Sequence, residues 1–216
     1  NLAVQTNLEF DVEVSDTWIQ QVQPTRALTE YNLSFAISKN TEQKDREGTI
    51  TVKDKNSDKK QVVTIKQSCI DLEREALIAL YKATNGDNWT NNTNWCSDKP
   101  VSEWYGISAH NNPTRVMTIN LMNNNLCGTI PDEIGNLPNL NSLHLPYNNL
   151  KGGIPNSICE LVSLEELNLA YNSLTGKIPE NIGNLRQLQS LVIYNNKLEG
   201  NLPQSIGDLT ELTLLN

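Results

Sequence analysis

Histidine and cysteine are the side chains most able to do chemistry, and both are scarce in this chain. Its 216 residues include two histidines, His110 and His144, and four cysteines. No Cys-x-x-Cys pair is present and no acidic pattern surrounds His110, so neither a zinc site nor an activated nucleophile is indicated. The signatures of hydrolases, P-loop enzymes, dinucleotide-binding enzymes and zinc proteases are also missing. The sequence therefore predicts a protein with no catalytic residues, no metal and no cofactor.

The four cysteines leave the question of disulfides open. They are Cys69, Cys96, Cys127 and Cys159, and their spacings are all close to 30 residues. Four cysteines allow three pairings. Nothing in the spacing selects one of them.

The acidic run that begins at Asp54 comes nearest to a metal-binding motif. Asp54, Asn56 and Asp58 imitate the first ligands of a calcium loop. The glycine expected next is Lys59, and the acidic residue expected at the last ligand position is Ile65. We therefore predict a hairpin turn here rather than a calcium site.

The charge pattern excludes two classes of partner. The formal net charge is −8, and the main lysine cluster, at residues 53–60, is interleaved with aspartates. No basic surface is long enough to follow a phosphate backbone, so nucleic acid is not expected as a partner. No apolar run approaches 18 residues, so no membrane-spanning helix is expected either. No signal peptide is present in this sequence, and the oligomeric state stays open.

The strongest pattern is a 24-residue repeat over residues 115–216, with four full copies and part of a fifth. One of its columns holds Ile119, Leu143, Leu167 and Leu191. Leucines one residue apart are expected to point inward from a short strand. An asparagine follows each strand, where its amide can bond the backbone of neighbouring coils. These ladder residues are Asn124, Asn148, Asn172 and Asn196.

The repeat resembles the plant-specific subclass of leucine-rich repeats, most clearly at residues 174–185, which read LTGKIPENIGNL. The resemblance implies a right-handed solenoid with an extra short strand before each proline. Solenoid ends need a polar cap, and none is visible at Leu215. We therefore expect further chain or a partner at this end.

Residues 68–114 are predicted to form a helical cap at the start of the solenoid. An amphipathic helix is expected over 71–83, with Asp71 as its N-cap. Leu72, Ala76, Ala79 and Leu80 are expected to share its buried face, and three tryptophans follow the helix. The segment resembles the N-terminal cap of plant-type repeats, but Ala109 replaces the second cysteine of that cap. The resemblance thus implies that Cys96 is free or paired elsewhere, for example with Cys69.

Residues 1–67 alternate apolar and polar side chains, which is typical of strands with one buried face. Val12 and Val14 alternate with acidic residues, and the pattern returns at 33–37, 50–52 and 63–65. Trp18 is predicted to lie in the core. The pattern predicts a mixed α/β chain in which a small immunoglobulin-like β-sandwich precedes the solenoid.

The same segment resembles the BACON domain, a domain associated with Bacteroidetes that is often N-terminal. The resemblance rests on Trp18, Leu33-x-Phe35-x-Ile37, Asn40 and the runs at 46–52 and 63–67. It implies a sandwich whose first strand precedes this sequence, and binding of glycan or mucin. No binding residue carries over from the family.

The concave face of the solenoid is the predicted binding site. Residues that flank the inward leucines point outward from the short strands, and three tyrosines on neighbouring coils supply amphipathic surface. The structural alternative is that these tyrosines brace the asparagine ladder. The candidate ligand-binding residues are Asn120, Met122, His144, Tyr147, Glu166, Asn168, Tyr171, Val192 and Tyr194.

We therefore expect a non-enzymatic recognition protein that binds a protein or peptide through the concave face. Glycan binding, through the BACON-like segment or the concave tyrosines, is the second hypothesis, and a structural spacer is the third. With these two resemblances together, the chain is similar to leucine-rich surface proteins of Bacteroidetes. They imply a secreted or cell-surface protein, such as an outer-membrane lipoprotein.

Overall fold

The computed structural model describes residues 2–4, 10–17, 19–27, 30–38, 45–56, 58–67, 71–111 and 114–216. Trp18, predicted to lie in the core, and Cys69, one predicted partner of Cys96, lie outside the described residues. The chain forms two compact units, Asn1–Ile70 and Asp71–Asn216. The first is built from antiparallel strands and the second mainly from parallel strands.

The first unit contains two three-stranded antiparallel sheets. Its strands are β1 Leu2–Val4, β2 Phe10–Val14, β3 Ile19–Ala27, β4 Glu30–Ile37, β5 Arg46–Asp54 and β6 Lys60–Gln67. One sheet has the order β1-β4-β3 and the other the order β2-β5-β6. The sequence pattern does not predict β1 or β3. Strand β3 is hard to recognise because it is rich in polar residues and contains Pro24, next to an irregular register between Val22 and Thr25.

Strand β5 has the buried positions that the alternation predicts, since Ile50 and Val52 are buried. The predicted inward orientation is wrong for Val14 and Ile37, which are 39% and 41% exposed. Each is the last residue of its strand. Between β5 and β6 the chain makes a hairpin turn, in which the Asn56 amide donates to Asp54 Oδ1 at 2.9 Å.

The second unit has a six-stranded sheet formed by one strand from each coil and one additional strand. In chain order the strands of this unit are β7 Ile107–Asn111, β8 Thr114–Asn120, β9 Cys127–Gly128, β10 Ser142–His144, β11 Asn149–Leu150, β12 Glu166–Asn168, β13 Thr175–Gly176, β14 Ser190–Val192, β15 Lys197–Leu198 and β16 Leu214–Leu215. The large sheet has the order β16-β14-β12-β10-β8-β7, and β7 is its antiparallel member. The short strands β9 and β11 pair with each other, as do β13 and β15.

The register of the parallel sheet follows the 24-residue repeat. Leu143 pairs with Ile119 on one side and with Leu167 on the other. These side chains are fully buried or nearly so, and each coil adds the same set to one continuous apolar core. Short 3-10 helices, at Asp132–Asn136, Asn156–Glu160, Ile182–Asn184 and Gln204–Asp208, return the chain toward the next strand.

The second unit begins with helix α1, Leu72–Ala83, whose N-cap Asp71 accepts a hydrogen bond from the Arg74 amide at 2.9 Å. Its buried residues are Glu73, Ala76, Leu77 and Leu80. The predicted buried face is therefore wrong at Leu72, which is exposed. The face is rotated because the Glu73 carboxylate accepts hydrogen bonds from the Val116 amide at 2.5 Å and from Asn139 Nδ2 at 3.2 Å.

Three tryptophans pack beside the helix, and each indole N–H is paired. Trp89 donates to the Thr84 carbonyl and Trp95 to the Tyr105 carbonyl, both at 2.9 Å, and Trp104 donates to the Lys99 carbonyl at 3.3 Å. Two 3-10 helices, Gly86–Asn88 and Val101–Glu103, lie in this part of the chain. The helix and the aromatic residues thus pack against the apolar core of the first coil.

Candidate ligand-binding face

The turns that follow the sheet strands carry two adjacent columns of residues with opposite properties. The first column contains the asparagines at 124, 148, 172 and 196. Asn148 is 8% exposed, and its Oδ1 accepts from the Asn124 and Leu126 amides at 3.0 Å. Its Nδ2 donates to the carbonyls of Leu121, Leu145 and Pro146 at 2.9–3.2 Å. The hydrogen-bonding capacity of this side chain is therefore fully used inside the protein.

The other asparagines of this column repeat the arrangement with local differences. Asn172 and Asn196 each accept a hydrogen bond from one backbone amide of the preceding coil. Each also donates to backbone carbonyls of the preceding coil and of its own coil. At the start of the solenoid no coil precedes Asn124, and the loop after α1 takes that place. Asn124 accepts from the Asn91 amide at 2.7 Å and donates to the Asn91 carbonyl at 2.9 Å.

The second column lies one residue earlier and has a left-handed backbone. The φ angles are 51° at Asn123, 58° at Tyr147, 52° at Tyr171 and 53° at Asn195. Asparagine tolerates this conformation, whereas a bulky residue there is a true outlier. A left-handed backbone costs an L-residue about 1–2 kcal/mol. Two of the four coils therefore place tyrosine at a position whose backbone favours asparagine.

The two tyrosines form a continuous aromatic row with Tyr194, which we call the tyrosine row. The rings of Tyr147 and Tyr171 are stacked, with centroids 4.3 Å apart and planes 13° apart. The Tyr194 ring meets Tyr171 edge to face at 5.1 Å. Tyr147 is 51% exposed, and the other two are more than one-third exposed. The row is thus ordered by ring contacts while it presents its outer surface to solvent.

The phenol groups of Tyr147 and Tyr194 stay neutral near pH 7. Desolvation and the neighbouring Tyr171 phenol raise the pKa of Tyr147 and of Tyr194 above the ordinary value of 10. Neutral phenols can both donate and accept hydrogen bonds. The row therefore offers apolar ring surface and uncharged polar groups to a ligand.

Next to the tyrosine row, the outward side chains of the parallel sheet include one charge-assisted cluster. His144 Nε2 lies 2.9 Å from Glu166 Oε2, and the Ser142 hydroxyl donates to the same oxygen at 3.4 Å. His144 is on β10 and Glu166 is on the neighbouring strand β12, where Glu166 pairs with Ser142 and lies diagonally opposite His144. Glu166 is exposed, so the cluster leaves a carboxylate oxygen available at the surface.

The remaining predicted residues surround this cluster. Asn120 Oδ1 accepts a hydrogen bond from the Met122 amide at 3.3 Å, and Asn168 Oδ1 accepts one from the Ala170 amide at 3.1 Å. Met122 is exposed and Val192 is half-buried. The nine predicted residues thus occupy the outward positions of β8–β14 and the turns that follow them, as neighbours on consecutive coils.

Sequence reasoning missed an open depression beside the tyrosine row. The depression has a volume of about 400 Å³ and is lined by Thr90, Asn123, Asn125, Tyr147, Asn148, Asn149 and Tyr171. Thr90, Asn125 and Asn149 are absent from the predicted set. The run Asn123-Asn124-Asn125 and the pair Asn148-Asn149 were a usable signal, because each contains more asparagine than the ladder requires.

Other reactive groups do not form a site in the described part of the chain. No three His, Cys, Asp or Glu side chains gather there as metal ligands. Cys96, Cys127 and Cys159 are free thiols. Burial raises the pKa of the Cys159 thiol to about 11. No helix among the described residues is both long enough and apolar enough to cross a bilayer.

Family comparisons divide the chain in the same way as the structure. The BACON model, whose description proposes an N-terminal binding domain, matches residues 8–68. Two leucine-rich repeat models match residues 114–174 and 187–209. A search of the curated proteins finds no matching sequence. The chain therefore carries a BACON domain followed by leucine-rich repeats.

Solved structures similar to this chain include leucine-rich repeat ectodomains from Arabidopsis thaliana. The GASSHO1/SCHENGEN3 ectodomain, solved with CASPARIAN STRIP INTEGRITY FACTOR 2, is 34% identical with a TM-score of 0.61. The alignment covers 67% of this chain and 17% of that one. The BIR3–SERK2 complex matches at 29% identity and a TM-score of 0.56, over 65% of this chain and 79% of that one. The BIR2 ectodomain matches at 29% and 0.54, over 67% and 77%. These similarities place the solenoid among the leucine-rich repeat folds.

Proposed function

We propose that this chain, in which a BACON domain precedes leucine-rich repeats, binds a peptide or an extended protein segment across the concave face of its solenoid. The observation that carries the proposal is the tyrosine row. Tyr147 and Tyr171 keep a backbone conformation that disfavours tyrosine, and they leave much of their ring surface exposed. Backbone strain of this kind is found mainly at functional sites, where it is part of how the site works.

Tyrosine is well suited to such a site. Its ring supplies large contact area at a small loss of side-chain entropy, and its hydroxyl pairs with polar groups of a partner. Stacking orders Tyr147 and Tyr171 in advance, so less ordering remains to be done when a ligand binds. The Glu166 carboxylate, 2.9 Å from His144, adds a charged anchor on the neighbouring sheet surface.

The structural neighbours also favour a protein or peptide ligand. The GASSHO1/SCHENGEN3 ectodomain and BIR3 were both solved as complexes with another protein. Neighbours of this kind are ectodomains, and we extend the proposal to a secreted or cell-surface location.

The function is recognition without catalysis. The helix α1 with its tryptophans acts as the N-terminal cap, and the first unit acts as an immunoglobulin-like sandwich that links or presents the solenoid.

The proposal is tested by selecting binders and mapping them onto the face. A random 12-residue peptide library displayed on phage is selected against the whole chain, and enriched peptides are titrated against variants. Tyr171→Asn keeps a residue suited to the left-handed backbone and removes the central ring. We expect this variant and Glu166→Gln each to weaken binding at least about tenfold, the usual effect of losing an interface anchor.

The control is Val162→Ser, which changes an exposed residue beside the 3-10 helix of its coil, away from the outward positions of the sheet. This variant should bind the peptides as the wild type does. The proposal is wrong if selected peptides bind Tyr171→Asn, Glu166→Gln and the wild type equally. It is also wrong if a parallel glycan array yields ligands that depend on the tyrosine row while the peptide library yields none.

A further inference from the structure

The depression next to the tyrosine row lies where the loop after α1 meets the first two coils. Thr90 contributes one wall from that loop, Asn123 and Asn125 come from the turn of the first coil, and Tyr147 and Asn149 come from the second. This location is specific to the start of the solenoid. The depression therefore differs from the concave face, which repeats from coil to coil.

The loop is firmly attached to the first turn, so the shape of the depression is fixed. The Thr90 amide donates to the Asn124 carbonyl at 3.1 Å, and Asn125 Nδ2 donates to the Asn88 carbonyl at 2.8 Å. Two further bonds join Asn91 and Asn124. Asn125 has a φ of 59°, a left-handed conformation that is not found at Asn149 in the next coil. The backbone of the first turn thus differs from that of the second at a residue that lines the depression.

Several polar groups of the lining are not used by the protein itself. Among the described residues, nothing hydrogen-bonds to the Asn123 carboxamide, the Asn149 carboxamide or the Thr90 hydroxyl. Asn148, in the same lining, differs because its side-chain carboxamide makes five hydrogen bonds within the protein. Unused amides beside a saturated one are available to a ligand.

The lining also fixes the charge and shape of what fits. Its residues are asparagine, threonine and tyrosine, and it contains no Asp, Glu, Lys, Arg or His side chain. A charged group would lose hydration here without gaining an opposite charge. The Tyr147 ring, stacked against Tyr171, forms one side and presents a flat apolar surface. The volume of about 400 Å³ is near the lower end for small-molecule pockets and suits one ring-bearing residue with its peptide groups.

We infer that this depression binds an uncharged segment of the peptide ligand, with a proline or aromatic ring against Tyr147 and its backbone amides paired with Asn123 and Asn149. A carboxamide is complementary to a peptide group because each has one carbonyl acceptor and N–H donors. The inference rests on the proposed peptide binding and adds the chemical identity of one subsite. It predicts a sequence preference that the concave sheet alone does not impose.

Small capped amides test the subsite directly. The probes are N-acetyl-prolinamide, N-acetyl-glutamate amide and methyl β-glucoside, each added to the ¹⁵N-labelled whole chain and followed by NMR. We expect N-acetyl-prolinamide to shift the side-chain NH₂ signals of Asn123 and Asn149, with saturation in the range of about 10–100 mM for a ligand of this size. The charged amide and the glucoside should leave them unmoved. Shifts from the glucoside alone, or none from any probe at 100 mM, would overturn the inference.

A double variant separates the subsite from the rest of the face. Asn123→Gly keeps a residue that accepts the left-handed backbone, and Asn149→Ala removes an exposed amide. The phage-selected peptides should contain a proline or aromatic residue in an uncharged stretch and bind the double variant at least tenfold more weakly. Asn184→Ala changes the exposed residue of the 3-10 helix Ile182–Asn184, away from the depression, and as the control it should leave binding unchanged.

The two proposals fail in different ways. Peptides that lose affinity with Tyr171→Asn and Glu166→Gln but bind the double variant normally would leave the proposed function standing and remove the subsite. Selected peptides that are insensitive to all of these variants would remove both.

Discussion

In two of the four turns a residue of the tyrosine row directly precedes a ladder asparagine, and the two side chains have opposite environments. Asn148 is buried, and all its polar atoms are bonded within the protein. Tyr147, one residue earlier, is half exposed and has a backbone that disfavours its side chain. The ladder column stabilises the solenoid. The tyrosine column is a place where the repeat could have used asparagine at lower conformational cost, as Asn123 and Asn195 do.

We propose that stability and recognition are divided between adjacent residues of one repeat. Each coil adds the same buried set, so the framework is fixed many times over. One column can then depart from its best residue without loss of the fold. Proteins generally tolerate such local departures at functional sites.

The largest effect is expected from breaking the ladder at its centre. Asn148→Ala removes the partner of the Asn124 and Leu126 amides and of the Leu121 carbonyl, whereas the Leu145 and Pro146 carbonyls keep their bonds from Asn172 and Asn123. We expect the free energy of unfolding to fall by about 3 kcal/mol. Chemical unfolding followed by tryptophan fluorescence measures this. The adjacent Asn149→Ala, whose side chain is exposed and unbonded, should change stability by less than about 0.5 kcal/mol. Similar losses for both variants would erase the distinction between the two kinds of asparagine.

A second, smaller effect is expected further along the ladder. Asn196 is less buried than Asn148 and accepts one amide instead of two. Asn196→Ala should therefore cost about 1 kcal/mol. The same unfolding experiment ranks the two variants. A loss at Asn196 as large as that at Asn148 would mean that burial does not set the value of each ladder position.

The Glu73 carboxylate makes the stability of the framework depend on pH. Burial raises the pKa of Glu73 above 4.5, and bonds from Val116 and Asn139 oppose the shift only in part. A carboxyl with a raised folded-state pKa binds protons more tightly when folded. Its contribution is thus complete below pH 4.5 and is lost as the pH rises through the folded pKa.

Glu73→Gln isolates this contribution, because glutamine keeps the shape of the side chain and does not titrate. The stability difference between wild type and variant should move in favour of the variant as the pH is raised from 4 to 7. Unfolding curves at four or five pH values measure the trend. A difference that is constant, or that moves in favour of the wild type, would show that Glu73 is not held with a raised pKa.

Much of the domain order and of the solenoid can be predicted from the sequence, because equivalent residues recur at the same position in each 24-residue copy. The BACON-like segment followed by leucine-rich repeats is confirmed by the family comparisons. The 24-residue period fixes which leucines are buried and which strands pair, since Leu143 must sit beside Ile119 and Leu167.

What the period could not predict lies where the repeat is interrupted. The buried face of α1 depends on Glu73 bonding Val116, which lies 43 residues away. The depression depends on the loop after α1 closing onto Asn124 and Asn125. Each of these contacts involves a residue outside the repeat pattern, so the 24-residue period does not predict it. The asparagines of this region, such as Asn92 and Asn94, donate to the carbonyls of Gly86 and Glu103 in the two short 3-10 helices, which accounts for asparagine beyond the ladder.

The most direct test of the contrast is one variant measured twice. Tyr147→Asn should leave the melting temperature within about 2 °C of the wild type, because relief of the left-handed backbone offsets the lost ring stacking. The same variant should bind the phage-selected peptides at least about tenfold more weakly. A melting temperature that falls by about 5 °C or more with peptide binding intact would contradict this view, because Tyr147 would then be a brace for the ladder rather than a recognition residue.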